Sequence, residues 1–351
     1  MSINDLHERF LKMTEENEPF DASDVNGKVL IVDGLNSYIR CFAAVPTMND
    51  DGEHMGGVTG FLKSIGKAIR TFRPTRVIIA FDGRGGSQRR RKIFPEYKEN
   101  RRTMNRLNRT YEGWRDKDEE NTSRRYQLMT LGQILTHLPV TVLAPSNVEA
   151  DDVIAYVASL VEERGGRAII MSTDKDFLQI VSDNVELYNP IKKKSYGVDD
   201  VLDEYGIHPN NFAVFRAMDG DKSDNIPGVR GVGRKLLVKN FPQLAEEKRV
   251  DIDHILEFSS EVDRRGKLFE NIRNNRKLIE RNYEIMQLAD AMMSGQTKLD
   301  VLDRIDNYKI TLDRDSMTAI LSSNKVMDAF GNYPQWVQLT FAPLMRYAVK
   351  Q

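Results

Sequence analysis

Short apolar runs alternate with helical patterns along the first half of the chain. Each run has the length of a strand and few polar residues, which is typical of strands buried on both faces of a parallel sheet. The runs cover residues 29–32, 77–81, 140–143 and 167–172. Apolar residues at helical spacing lie between and beside them, at 58–72, 123–138 and 149–164. Because parallel strands connected by a helix form right-handed crossovers, this order predicts an α/β fold.

The second half of the chain is mainly helical by the same criterion. A helix is predicted over 210–218, and residues 241–351 carry apolar positions on helices with charged faces. Residues 3–16 are predicted to form a short amphipathic helix that packs on the domain that follows. The lysine run Lys192–Lys194 is expected on the solvated face of a hairpin or loop.

Acidic residues cluster where the predicted strands end. Two acids directly follow an apolar run, and others open the next helix or turn: Asp33, Asp82, Glu149, Asp151, Asp152, Asp174 and Asp176. The carboxyl ends of parallel strands share one edge of a sheet, where α/β proteins bind ligands. Carboxylates gathered there repel one another and resist desolvation, so the pattern favours a site for cations. A helix cap or a favourable helix dipole would explain any one of these acids alone.

The segment 84–125 has a different composition. It carries 14 Lys and Arg residues against 7 Asp and Glu residues, and too few apolar residues for a core. Aromatic residues lie among the cations, at Phe94, Tyr97, Tyr111 and Trp114. A basic stretch with interspersed aromatics suits a single-stranded nucleic acid, whose phosphates need cations and whose bases stack. A solvated loop is the alternative reading of the same composition.

A glycine-rich turn follows the helix predicted over 210–218. Two aspartates begin this turn, and three glycines and two basic residues follow them: Asp221, Asp224, Gly228, Gly231, Gly233, Arg234 and Lys235. It is not a dinucleotide-binding loop, because no strand precedes it. Glycines between two short helices would bring backbone amides to the surface, where they can hold a phosphate. A generic glycine-rich turn is the alternative.

Composition narrows the class of protein. With 351 residues, 40% hydrophobic and 29% charged, the chain resembles an ordinary globular protein of one large or two smaller domains. A single cysteine, Cys41, excludes a disulfide framework and a Cys-rich zinc site. The first twenty residues are too polar for a signal peptide, and no apolar run approaches the roughly 20 residues of a membrane span. We therefore expect a cytoplasmic protein without membrane contact.

Six motifs together carry a family resemblance. They occur in order between residues 28 and 240: Val32-Asp33-Gly34, Phe81-Asp82-Gly83, Phe94-Pro95-Glu96-Tyr97-Lys98 with Asn100-Arg101, Glu149-Ala150-Asp151-Asp152, Ser172-Thr173-Asp174 with Asp176-Phe177, and Gly220-Asp221 with Asp224-Asn225-Ile226-Pro227-Gly228-Val229 and Gly231-Val232-Gly233. With this set the chain resembles the flap endonuclease, or 5′–3′ exonuclease, family. Its most similar branches are the bacteriophage 5′ nucleases, including those of the RNase H type, and the 5′ nuclease domain of bacterial DNA polymerase I.

The resemblance implies a PIN-like α/β fold. Such a fold has a mostly parallel sheet flanked by helices, a helical arch and a helix-hairpin-helix-type DNA-binding element. The resemblance also divides the chain into an N-terminal extension (1–27), a nuclease domain (28–190) with a basic arch (84–125), a duplex-binding region (191–240) and a helical C-terminal region (241–351). The extension and the C-terminal region differ from the family pattern, and we expect a stand-alone nuclease because no polymerase follows.

The resemblance also implies two groups of metal ligands. The first group would be Asp33, Asp82, Glu149, Asp151 and Asp152. The second group would be Asp174, Asp176, Asp221 and Asp224, without Asp219, where the family usually has an uncharged residue. Mg²⁺ fits such an all-oxygen set, and Mn²⁺ is expected to substitute for it. Catalysis would rest on these acids, chiefly Asp33, Asp82, Glu149, Asp151, Asp174 and Asp176, together with two basic residues of the arch, Lys98 and Arg101.

The implied DNA contacts lie in the arch and in the glycine-rich turn. Lys98 and Arg101 match basic residues at the base of the family's arch, where they would polarise or steer the scissile phosphate. Tyr97 would stack on a base, and Arg89 and Arg90 are further expected contacts. The family's duplex-binding element, often associated with K⁺, corresponds to the turn, with Gly228, Gly231, Gly233, Arg234 and Lys235. It would hold phosphates without reading sequence.

The expected activity is therefore structure-specific cleavage of 5′ ends. The substrates would be duplex DNA with a 5′ flap, a nick or an RNA primer, during replication or repair in a bacterial or phage-infected cell. We expect a monomer that meets single-strand-binding or other replication proteins. Three other classes of protein were considered: a PIN-type ribonuclease would lack the glycine-rich motif, a silent DNA-binding scaffold would lack the acids, and a haloacid-dehalogenase-like phosphatase would have Asp-x-Asp where Asp33 is followed by Gly34 and Leu35.

Overall fold

A mostly parallel sheet forms the centre of the molecule. The computed structural model describes residues 25–100, 106–261, 266–307 and 309–348. The described strands follow the order β3-β2-β1-β4-β5-β6, and only β6 runs antiparallel to its neighbour. Their bounds are β1 Lys28–Asp33, β2 Arg76–Ala80, β3 Thr141–Leu143, β4 Arg167–Met171, β5 Val185–Asn189 and β6 Lys194–Tyr196.

Helices cover both faces of this sheet. Those of the first part of the chain are α1 Gly34–Ala44, α2 Gly56–Phe72, α3 Gln88–Ile93, α4 Lys117–Leu135 and α5 Ala150–Glu163. The glycine-rich turn lies between α7 Pro209–Asp219 and α8 Arg234–Asn240, with α6 Val198–Tyr205 before them. The C-terminal part contains α9 Ile252–Ser260, α10 Lys267–Asn274, α11 Arg276–Met286, α12 Gly295–Asn307, α13 Arg314–Ser323 and α14 Tyr333–Thr340.

The apolar runs are continuous because each strand supplies two cores. In β1, Val29 and Ile31 enter the core on one face, while Leu30 and Val32 enter the core on the other. Successive side chains of a strand point to opposite faces, so both sets must be apolar when helices cover both sides. The first core contains α5 and α7, and the second contains α1, α2 and α4.

The C-terminal region completes both cores. Helices α9 to α12 contribute to the first core, and α13 and α14 contribute to the second. Near the end of the chain, Arg70 of α2 donates a hydrogen bond to Thr340, which is 270 positions away in the sequence. The Trp336 ring packs at a tilt against Phe330, with ring centres 4.6 Å apart. Residues 312–344 are thus an integral part of the α/β body.

The predicted elements are confirmed with one clear shift. The four apolar runs are strands, and the lysine run lies in the hairpin of β5 and β6. The helix predicted from residue 123 begins at Lys117, because the Asp116 side chain accepts hydrogen bonds from the amides of Asp118 and Glu119. An acidic first turn of this kind stabilises a helix N-terminus. The helix predicted over 3–16 lies outside the described residues.

Membrane-spanning helices are not found in the part of the chain that the structure describes. None of its helices combines the length and the apolar character that a bilayer requires.

We predict that truncating Phe341 destabilises the whole fold. This side chain is fully buried in the second core. Phe341→Ala should lower the free energy of unfolding by about 3–5 kcal/mol, because it removes an aromatic ring and leaves a cavity. The neighbouring Leu339 is 58% exposed, so Leu339→Ala should change stability by less than ~0.5 kcal/mol. Equal stability of the two variants in urea denaturation would contradict an integral C-terminal region.

Candidate metal centre and nucleic-acid interface

Five carboxylates line one cavity at the carboxyl edge of the sheet. The cavity has a volume of about 350 Å³. Its acidic residues come from five separate positions of the chain: Asp33, Asp82, Asp151, Asp174 and Asp224. The strand order explains this meeting, since β1, β2 and β4 are neighbours that all end at the same edge. The predicted meeting of acids at the strand ends is confirmed for Asp33, Asp82, Asp151 and Asp174, and Asp224 joins them from the loop after α7.

Local hydrogen bonds fix the direction of each carboxylate. Asp33 ends β1 and accepts from the amide of Asn36 at 3.1 Å and from the Ser172 hydroxyl at 2.9 Å. Asp82 accepts from the amide of Ala150, the first residue of α5, at 2.8 Å. Asp174 accepts from the amide of Asp176 at 2.9 Å. Asp33 and Asp174 thus cap the elements that directly follow them, and Asp82 binds the first amide of α5.

Burial makes the charged form of these acids costly. It raises the pKa of Asp33 to about 6, and the charge of Asp82 adds to this effect. It raises the pKa of Asp174 to about 7, with a further contribution from Asp176. The pKa of Asp151 is also raised by burial and by neighbouring carboxylates, although the ammonium of Lys98 opposes the shift. A cation in the cavity would remove this penalty.

Lys98 lies between the acids of this cavity. Its Nζ is 2.9 Å from Glu149 and 3.9 Å from Asp224. Burial alone would raise the pKa of Glu149, but Lys98 and Arg90 outweigh it and hold this pKa below its usual value. Glu149 is 2% exposed and also accepts from the Tyr97 hydroxyl at 3.0 Å. The negative charge of Glu149 is therefore already neutralised by Lys98 and Arg90.

The base of the basic arch is tied to the aspartate loop that follows α7. The Lys98 amide donates to the Asp224 carbonyl at 2.9 Å, and Lys98 has a positive φ of 58°. In the same region, the Asn225 side chain donates to the Glu96 carbonyl at 2.8 Å. Asn100 donates to the Lys222 carbonyl at 2.8 Å. The position of Lys98 thus depends on this loop. Arg101, the other predicted basic residue of the arch, lies outside the described residues.

Asp152 is not placed as the family resemblance implied. Its carboxylate bonds to Arg90 at 2.6 and 3.2 Å and accepts from the Met292 amide at 3.0 Å. Its two oxygens are thus occupied away from the cavity. In this structure Asp152 is the buried counter-ion of Arg90, an arrangement that does not favour the predicted role of Asp152 as a metal ligand.

Arg90 and Tyr97 are also placed differently from the prediction. Only 3% of Arg90 and 2% of Tyr97 are exposed, so neither can touch DNA in this structure. Arg90 instead bonds Glu149, Asp152 and the carbonyl of Ile285. The neighbouring Arg89 is exposed, as predicted, although it also donates to the Met292 carbonyl.

The aromatic residues of the basic segment pack against other protein side chains. Trp114 stacks on Phe42 with ring centres 5.6 Å apart, and Tyr111 meets Trp114 edge-on at 4.7 Å. The guanidinium of Arg281 lies over the Phe94 ring at 4.2 Å. The idea that these rings stack on unpaired bases is therefore not supported by their packing.

The glycine-rich turn has a structural half and an accessible half. A Cβ at Gly228 would approach the Asp219 carbonyl oxygen to 2.1 Å, so glycine is required there for backbone packing. Gly231 has a positive φ of 74° and lies at the surface, and no atom would obstruct a Cβ at Gly233. Arg234 donates to the Glu204 carbonyl at 2.6 Å, whereas Lys235 is exposed. Gly231, Gly233 and Lys235 remain available to a phosphate backbone.

The two remaining predicted ligands are held together by an arginine. Arg216 bonds Asp176 at 2.6 Å and Asp221 at 2.5 Å. Neither of these acids lines the cavity. Sequence reasoning missed Arg216, because nothing in the pattern of a helix reveals which distant acids its arginine will meet. It also gave no role to Ser172, although the motif that contains it was noted.

The donor set fits a hard divalent cation. Across the ranges described, no three Asp, Glu, His or Cys side chains converge closely enough to hold an ion on their own. Mg²⁺ does not require such convergence, since it usually keeps several waters and binds through one or two carboxylates plus substrate phosphate. The cavity has room for these waters, and all its acidic donors are oxygens. The residues therefore fit Mg²⁺ as an ion shared with a substrate.

We predict that Arg90 is a structural residue rather than a DNA contact. Arg90→Gln leaves Asp152 buried without its counter-ion and leaves Glu149 with Lys98 alone, which should lower the free energy of unfolding by about 3–5 kcal/mol. The matched control is Arg89→Gln, which removes the adjacent, exposed charge and should cost less than ~0.5 kcal/mol. Urea denaturation measures both. A stable Arg90→Gln variant with weakened DNA binding would contradict the structural role.

We predict that the metal-free protein loses stability as the pH rises. Because the folded state raises the pKa of Asp174 from 3.8 to about 7, the unfolded chain releases its proton first, and the free energy of unfolding falls across that interval. Thermal denaturation in EDTA from pH 4 to 8 measures this slope. Asp174→Asn should flatten it, whereas the exposed Asp315→Asn should not. A slope unchanged by Asp174→Asn would contradict the buried-carboxylate account.

Comparisons with known proteins agree with this geometry. Residues 28–206 match the family model described as "5′-3′ exonuclease, N-terminal resolvase-like domain". A 5′-3′ exonuclease of Buchnera aphidicola subsp. Schizaphis graminum is 32% identical over 221 residues, which cover 62% of this chain and 71% of the relative. DNA polymerase I of Rhizobium leguminosarum is 32% identical over 256 residues, which cover 70% of this chain and only 23% of the polymerase.

Solved structures show the same fold. The bacteriophage T5 flap endonuclease, crystallised with DNA and metal ions, aligns with a TM-score of 0.60 at 19% identity. The alignment covers 84% of this chain and 97% of that structure. The predicted PIN-like fold is thereby confirmed. By the match of its residues 28–206 and by its curated relatives, the chain belongs to the 5′–3′ exonuclease family.

Proposed function

We propose that this protein is a structure-specific 5′ nuclease that cuts flaps and degrades 5′ ends by a two-metal mechanism. The observation that carries the proposal is the meeting of five carboxylates and Lys98 around one cavity. Family membership supports the same reaction class. Products would carry a 5′ phosphate and a 3′ hydroxyl.

The proposed ligands of the metal centre are the five cavity acids, Asp33, Asp82, Asp151, Asp174 and Asp224, and the neighbouring pair that Arg216 holds, Asp176 and Asp221. When bound, two Mg²⁺ ions would activate an attacking water and stabilise the leaving 3′ oxygen of an in-line displacement. The chain orients three of these carboxylates in advance, because backbone amides donate hydrogen bonds to Asp33, Asp82 and Asp174. Mn²⁺ has similar ligand preferences and should support the reaction.

Lys98 is proposed to position the scissile phosphate. Its ammonium lies inside the cavity, 12% exposed, and bridges Glu149 to the edge of Asp224. An incoming phosphate would offer the ammonium a further anionic partner close to the acids. Such a fixed cation stabilises the charge that develops on the phosphate. Arg40, whose Nη2 bonds Ser64 at 2.9 Å, lines the same cavity.

Duplex DNA is proposed to bind across the arch base and the glycine-rich turn. Arg89, Gly231, Gly233 and Lys235 would contact phosphates, which gives affinity without sequence preference. A K⁺ ion at Gly228–Gly233 is part of this proposal. The finer substrate would be a flap, a nick or an RNA primer on duplex DNA, handled by a monomer alongside single-strand-binding proteins in a bacterial or phage-infected cytoplasm.

We predict metal-dependent cleavage of a 5′-labelled flap substrate. Cleavage should occur near the flap junction with Mg²⁺ or Mn²⁺, and EDTA should abolish it. Asp151→Asn should lower the cleavage rate by at least about a hundredfold, because it removes a charged ligand of the centre. The control Asp315→Asn changes an exposed carboxylate of α13 and should cleave like the parent.

Two outcomes would contradict the proposal. Tight DNA binding without cleavage in either metal would leave a structure-specific DNA-binding protein. Efficient cleavage of free single-stranded RNA, with no preference for a flap on duplex DNA, would favour a PIN-type ribonuclease instead.

A further inference from the structure

Arg216 lies between Asp176 and Asp221, the two predicted metal ligands that do not line the cavity. Its Nε is 2.6 Å from Asp176 Oδ1, and its Nη2 is 2.5 Å from Asp221 Oδ2. The third nitrogen, Nη1, donates to the Gly220 carbonyl at 2.9 Å and is 3.9 Å from Asp219. The guanidinium thus has an anionic or carbonyl partner on every nitrogen.

We propose that Arg216 is an internal counter-ion that takes the place of one divalent cation while the protein is free of DNA. This inference rests on the proposed two-metal function and refines it. Without DNA, the protein would bind one ion in the cavity more tightly than a second ion beside Arg216.

The cavity acids and the Asp176–Asp221 pair differ in how the protein's own cations neutralise their charge. In the cavity, Asp33, Asp82, Asp151 and Asp174 face Lys98, whose ammonium is 2.9 Å from another acid, Glu149. The second group has a guanidinium fixed between Asp176 and Asp221. A planar guanidinium with several donors matches carboxylates better than an ammonium does. An arriving cation therefore meets a large unneutralised charge in the cavity and a small one beside Arg216.

Burial also keeps Arg216 from moving away from Asp176 and Asp221. It is 8% exposed and belongs to α7, which is packed into the first core on both sides of this residue. Because Arg216 is part of the chain, it loses no translational freedom when it pairs with the acids. A divalent ion loses this freedom when it binds. The residual charge of Arg216 would in addition repel that ion at close range. Substrate phosphate would restore enough negative charge for the second ion to bind.

The test measures metal binding directly, without DNA and without turnover. Mn²⁺ is titrated into the full-length protein, and free Mn²⁺ is followed by electron paramagnetic resonance. The parent should bind one ion tightly and a second weakly. Arg216→Gln should tighten the second site by about tenfold or more, because it removes both the competitor and the repulsion.

Two variants control for charge and for structure. Arg216→Lys keeps the charge but loses the fork of bonds, so its second site should fall between the parent and Arg216→Gln. Arg276→Gln removes an exposed arginine that pairs with Asp253 and Glu280, and it should bind Mn²⁺ like the parent. In EDTA, Arg216→Gln should melt at a lower temperature than Arg276→Gln, and Mn²⁺ should reverse most of this loss.

The outcomes separate the inference from the proposed function. If Arg216→Gln binds the second ion no better than the parent, or if Arg216→Lys behaves identically to Arg216→Gln, the counter-ion role is overturned. If the tight ion persists in Asp174→Asn, or if the parent binds no ion at all, the proposed metal centre itself fails, and the inference fails with it. Should Arg216→Gln not fold in EDTA, its refolding with Mn²⁺ alone would support the exchange of one cation for the other.

Discussion

Carboxylates that follow four strands meet at one edge of the sheet, and their mutual repulsion is the constraint on which the rest of the structure depends. Burial raises the pKa of Asp33, Asp151 and Asp174, so each charge opposes the compact state. A parallel sheet makes this meeting unavoidable, because all of its strands deliver their ends to the same place. The fold therefore stores unfavourable electrostatic free energy at its site, and a functional cation would release it.

Three basic side chains of the protein offset part of this repulsion. They differ in how firmly their bonds hold them in place. Arg90 is buried between Glu149 and Asp152 and joins α3 to α5 as a fixed support. Lys98 extends into the cavity from the arch base, where it can exchange one anionic partner for another. Arg216 holds the acids that do not reach the cavity. Structural support is thus assigned to one of these side chains, and the proposed phosphate positioning and metal exchange to the other two.

Local patterns were sufficient for the strands and for the acids that follow them. Both depend on neighbours in the sequence, such as the alternation that makes β1 apolar on two faces. The roles of Asp152, Arg90 and Tyr97 could not be obtained in this way. Asp152 meets Arg90 across 62 positions and Met292 across 140 positions, and no local pattern specifies such pairs. Similarly, the sequence shows only that Trp114 lies among basic residues, whereas its stacking partner, Phe42, lies on a distant helix.

The contact between α2 and the end of the described chain has a consequence for biosynthesis. Thr340 and Arg70 are 270 positions apart, and the second core also needs Phe341 and Leu344. A ribosome must therefore synthesise the chain as far as Leu344 before this face of the sheet can be covered. Until then, the apolar side of α2 stays open to solvent and to other nascent chains. Non-local closure of this kind slows folding, so maturation of this protein would be sensitive to chaperones that shield the exposed face during translation.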